Sequence, residues 1–206
     1  MIRSRSGGVA VAVAAALGVV LNLVAVFALC PVPHTYAPGD VPAWLAETLA
    51  HPTASVVSAG SFTVGLVALA AFFLGLAALV GGQRGWLVVG AAFAGLGAIL
   101  NAAGTLAPIA ALHVEKPVGL GLLWLTLLLD SAFNGLLGLG LIALSIGLPA
   151  DWPKAHRWLG LVAGVACLPV AGQFASDSLA RLLAVSAPLW CTWCIWAGAL
   201  VARRSA

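Results

Sequence analysis

Six runs of apolar residues, at about 8–29, 54–80, 86–113, 118–148, 158–174 and 182–202, take up nearly all of this 206-residue chain. A bilayer's hydrocarbon core is about 30 Å thick and takes roughly 20 helical residues to cross. Backbone amides facing lipid find no water, so runs of this kind close their hydrogen bonds internally, as helices. The connections are too short for a second domain. The expectation is one all-α polytopic membrane domain over residues 1–206, with six transmembrane helices in a bundle. Composition excludes the soluble alternative, because 7% of residues are charged and 63% hydrophobic, whereas soluble domains carry about 25% charge.

Orientation follows from where the cations fall. With six crossings, Arg3, Arg5, Arg84, Lys154, Arg157, Arg203 and Arg204 share one side, and Lys116 and Arg181 the other. Excess Lys and Arg marks the cytoplasmic side, so both termini are expected there. Abundant Ala and Gly, and Arg in preference to Lys, point to a GC-rich bacterial source and hence to a bacterial cytoplasmic membrane. The first run exceeds the roughly 7–15 apolar residues of a secretory signal, and is expected to stay as a span. "VFALC" sets Leu29 where a lipoprotein box needs a small residue. Trp86, Trp152 and Trp158 fall at the inner interface and Trp44 at the outer one, depths that indole rings favour. In the outer connection "VPAWLAETLA" spaces Trp44, Leu45 and Leu49 as a short helix lying on the interface. Gly160 with Gly164, and Gly198 with Ala202, have the small-residue spacing that lets membrane helices approach closely.

Against this apolar background one acid stands out. "LLLDSAFNGL" places Asp130 inside the fourth run, where an ionised Asp costs about 2.5–3.5 kcal/mol on insertion scales. It must face the bundle interior, be protonated or have partners. If the third and fourth runs turn around Glu115–Lys116, residues equidistant from that turn share a depth. Asn101 then meets Asp130, and Thr105 meets Thr126. Thr126, Asp130 and Asn134 are spaced four apart on one helix face, as are Asn101 and Thr105. Asn22, Ser58, Ser61, Gln173 and Ser186 also fall in outer halves, together with the helix-bending Pro108, Pro169 and Pro188, and the inner halves are nearly bare of polar residues. The expectation is a polar cavity opening outward, lined by Asp130, Asn134, Asn101, Thr105 and Thr126, with Asn22 a further ligand-binding candidate. For Asn22, Ser58 and Ser61 taken singly, ordinary interhelical hydrogen bonding is the simpler reading.

His34, His51 and His113 are the candidates for an outer-face metal, although no pair has a recognised ligand spacing. Cys191 and Cys194 form a Cys-x-x-Cys pair, a redox candidate that a quinone reaches more readily than a soluble thiol because it lies in the sixth span. The four cysteines, Cys30, Cys167, Cys191 and Cys194, sit in or beside apolar runs and do not read as a disulfide framework. No hydrolase, P-loop or dinucleotide motif is present, any cofactor stays unassigned, and the cations are too few for a nucleic-acid surface.

"AWLAETLAHPTASVVSAGSF", "FNGLLGLGLIALSIGLP" and "PADWPKAHRWLGLVAGV" together resemble a family of six-span bacterial membrane proteins, a domain of unknown function. The resemblance covers most of the chain and implies six helices, with no activity or catalytic residues attached. The leading functional expectation is binding of a small or lipid-like ligand, in transport or sensing. A second is an accessory subunit docked to membrane partners or to another copy of the chain. The third is an enzyme, either a quinone-linked thiol oxidoreductase or an outer-face metal hydrolase.

Overall fold

The computed structural model describes residues 5–29 and 37–205, so Arg3, Cys30 and His34 lie outside the described residues. Six helical stretches are long and apolar enough to cross a membrane: Ser6–Leu29, Pro52–Leu79, Arg84–Ala111, Lys116–Gly147, Lys154–Ala175 and Asp177–Ser205. Among the described residues there is no strand. The six-helix membrane fold expected from hydropathy is the one observed.

In chain order the helices are α1 (Arg5–Val24), α2 (Val41–Ala50), α3 (Pro52–Leu79), α4 (Arg84–Gly104), α5 (Ala107–Ala111), α6 (Lys116–Gly147), α7 (Lys154–Cys167), α8 (Asp177–Ala180) and α9 (Leu183–Ser205). Each long helix packs on its neighbour in sequence, and α9 closes back on α1, so the spans form a ring. Both described chain ends meet at one end of it, called here the terminal end, where Gly8 abuts Ser205. Arg84, Lys154, Arg157, Arg203 and Arg204 belong to that end, and Lys116 and Arg181 to the opposite one.

Apolar side chains gain little by leaving lipid for protein, so close packing must hold such a ring together, and small residues make that possible. At the α4–α6 crossing, Gly90 and Gly140 let the backbones touch: a Cβ on Gly140 would lie 2.8 Å from the Gly90 carbonyl oxygen. The expected small-residue pair on the fifth span behaves likewise, with Gly164 seated against the Gly138 carbonyl of α6.

The ring is filled at the terminal end and hollow towards the other. The filled half holds Phe72, Phe73, Leu76, Leu141 and Trp193, all fully buried. Two buried polar side chains also sit there, Ser145 and His156, in the half expected to be nearly bare of them. His156 accepts a hydrogen bond at Nδ1 from the Trp152 indole (2.8 Å), which leaves Nε2 to donate to the Trp193 carbonyl (3.2 Å). Its ring stacks on Trp193 with centroids 4.9 Å apart. Trp152 is therefore 2% exposed rather than set towards lipid headgroups, whereas Trp86 and Trp158 are 47% and 66% exposed.

At the opposite end α2, the short helix expected in this connection, lies across α6. The face it buries is Val41, Leu45 and Thr48, with Trp44 half-buried beside them and Leu49 exposed. Leu45 wins its place because Gly119 on α6 leaves room for its side chain.

Candidate functional site

The polar centre is assembled by helices that prolines interrupt. Pro108 has no amide hydrogen for the Gly104 carbonyl four residues earlier, and α4 duly ends at Gly104. That freed carbonyl accepts the Thr126 hydroxyl of α6 at 3.0 Å. In the fifth span α7 stops at Cys167, and Pro169 opens a 3-10 segment running to Ala175. A 3-10 helix rises about 2.0 Å per residue against 1.5 Å for an α-helix, so this short span still crosses the depth it needs. The same segment swings Gln173 inward, fully buried.

Three side-chain amides converge on Asp130. Asn101 Nδ2 donates to Oδ1 at 2.7 Å, Asn134 Nδ2 donates to Oδ2 at 3.3 Å, and Gln173 Nε2 donates to Oδ2. Asn134 also donates to the Asp130 backbone carbonyl at 2.9 Å. Asp130 as a whole is 6% exposed, so these amides stand in for the water its carboxyl group would otherwise have. The carbonyl oxygens of the same three amides are buried without a partner. Turning one amide by 180° exchanges its NH2 for that oxygen. The shell thus serves both states of the acid: three donors for a carboxylate, or two donors and one acceptor for a carboxylic acid.

Asp130 and Asn134 face a cavity of about 690 Å³ between α1, α3, α6 and α9. Its walls are mostly apolar, with Phe62, Phe133 and Trp190 around the acid, Asn22 on the α1 side and Arg181 at the α8–α9 end. Phe133 and Trp190 meet edge to face, 6.3 Å between centroids. Two irregular turns flank this volume. Helix α1 passes into a π-helical turn at Ala25–Leu29, held by the Ser58 hydroxyl on the Ala25 carbonyl (3.1 Å), and α9 carries Pro188 within it. The cavity reaches outward-facing residues of both helices, including Leu23, Phe27 and Thr192.

The predicted residues are therefore divided between two places. Asp130, Asn134 and Asn22 line the large cavity, with Asn101 behind the acid as its partner, as the turn arithmetic required. Thr105 and Thr126 come together, as the turn arithmetic expects, but outside the large cavity expected for them. Thr105 faces Thr63 of α3 at 2.6 Å, and both Thr105 and Thr126 border a separate pocket of about 40 Å³ beneath Trp44. Once Pro108 frees the Gly104 carbonyl, Thr126 takes it and Thr105 turns to α3. Asn22 spends its amide on its own helix, donating to Gly18 at 2.6 Å.

Sequence spacing does not assign Gln173, Thr63 or Arg181 to the site; the fold brings them there. Cys191 lines the cavity, while Cys167 and Cys194 are fully buried, and all three are free thiols. His51 sits 3.5 Å from Glu47, one turn away on an exposed surface, and His113 is likewise exposed. Among the described residues no three metal-ligating side chains come together. The chain matches no protein-family model, no curated protein and no solved structure.

Proposed function

We propose that this membrane protein binds a small or lipid-like ligand in the cavity beside Asp130, in the service of transport or sensing. The observation that carries this reading is a volume of about 690 Å³, within the roughly 300–1,000 Å³ of small-molecule sites. Apolar walls with a few convergent polar groups are the lining such sites have. An intramembrane acid is costly to keep, and proton-coupled carriers use one that gains and loses a proton within a hydrogen-bonded shell. The interchangeable amides around Asp130 suit that use. In this reading the cation-rich terminal end faces the cytoplasm of a bacterial cell and the cavity lies in the outer half of its cytoplasmic membrane.

Cys191 supplies a built-in reporter. With Cys30 changed to Ser, a small cationic methanethiosulfonate added outside intact cells is expected to label Cys191, leaving Cys167 and Cys194 untouched. Ala187→Trp, which places an indole on the cavity wall, should slow that labelling strongly. Labelling only from the cytoplasmic side, or at equal rates in both proteins, would refute an outward-facing cavity.

A further inference from the structure

A second recess lies at the terminal end, away from the Asp130 cavity. It has a volume of about 320 Å³ and is bordered by Ser145 and Ile146 of α6 and by Lys154, Arg157, Trp158 and Leu161 of α7. Its charge is all of one sign. Arg157 is fixed across the groove by its Nε, which donates to the Ser145 backbone carbonyl at 3.2 Å. The terminal nitrogens of its guanidinium remain beyond that bond. Among the described residues, neither Lys154 nor Arg157 makes an ion pair with a carboxylate, whereas Arg204 close by is bonded to Asp151 at 2.9 Å. The recess also adjoins the start of the 14-residue helix α7, where unpaired backbone amides and the helix dipole favour an anion.

The surroundings identify the kind of anion. Trp158 is 66% exposed beside the cations, and Val162 and Val165 (52% and 60% exposed) continue from it along the outer face of α7 at helical spacing. A cationic pocket above an apolar track, at the first residue of a membrane span, matches a phosphate joined to acyl chains. A soluble anion would have no use for the track.

We propose that this recess binds the headgroup of one anionic phospholipid, with Lys154 and Arg157 on the phosphate, Trp158 at the glycerol level and an acyl chain along Val162 and Val165. The proposal is independent of the ligand in the Asp130 cavity.

The test is intact-mass spectrometry of the full chain released from nanodiscs of phosphatidylglycerol and phosphatidylcholine in equal amounts. Wild type is expected to retain one phosphatidylglycerol in preference to phosphatidylcholine. Lys154→Gln, at an exposed position with no structural bond, should lower that preference about fivefold, the effect of one cation near an anionic membrane surface. Lys154→Gln with Arg157→Gln should abolish it, and Arg157→Lys should largely keep it. Arg203→Gln, on the same end but outside the recess, should leave it unchanged. The proposal is overturned if wild type retains the two lipids in their bulk ratio, or if Lys154→Gln has no effect. It is also overturned if Arg203→Gln acts as strongly as Lys154→Gln, or if millimolar inorganic phosphate displaces the lipid.

Discussion

Asp130→Leu is expected to destabilise the protein by roughly 2–5 kcal/mol, because three buried amides lose their acceptor, each at about 1–3 kcal/mol, with partial relief as they find other partners. Interhelical hydrogen bonds in membranes average nearer 0.6 kcal/mol, which sets the lower bound. Asp130→Asn should stay within about 1 kcal/mol of wild type, since its own amide offers an oxygen to two donors and an NH2 to one turned amide. Unfolding in mild detergent with increasing dodecyl sulfate measures both. Equal stability of the two variants would mean that the amide shell contributes nothing, and that Asp130 is not its organiser.

The second large effect is steric. Gly140→Val places carbon where Ala94 N and the Gly90 carbonyl oxygen would each be 2.8 Å from the new Cβ. Those are backbone atoms of the facing helix and cannot rotate away, so α4 and α6 must separate. The cost should be about 3 kcal/mol or more, at or above the usual range for overpacking. It should also loosen the Asn101–Asp130 bond further along the same interface. Gly121→Val on the same helix is the control: a Cβ there meets nothing within 4 Å, and stability should change by no more than about 1 kcal/mol. Similar losses from the two substitutions in the same unfolding measurement would contradict the close approach of α4 and α6.

What is legible in the sequence, and what is not, divides along physical lines. Long apolar runs determine the number of spans, because a bilayer accepts almost nothing else. Short turns make depth a matter of counting, and counting alone pairs Asn101 with Asp130. The same counting about the Leu148–Pro153 turn sets Ala171, not Gln173, level with Asp130, because it assumes a regular helix throughout the fifth run. The 3-10 segment after Pro169 leaves no apolar signature to reveal it. Thr105 illustrates a different limit, since which hydroxyl takes a carbonyl freed by proline depends on the neighbours of both helices. His156 carries no signal of its own in the sequence, although Trp152 four residues before it has an indole N–H to give. On α2, hydrophobicity alone favours Leu49 over Val41 and Thr48, whereas the geometry of a helix lying on Gly119 decides the other way.

The proposed function depends on the Asp130 cavity being occupied in the cell. Intact-mass spectrometry of the protein released from its native membrane in mild detergent, wild type beside Ala187→Trp, tests this most directly. Wild type is expected to carry a stoichiometric small molecule or lipid that is lost from the filled variant. An empty wild-type protein carrying a stoichiometric partner chain instead would contradict the proposal and make the polar centre the structural glue of an assembly subunit.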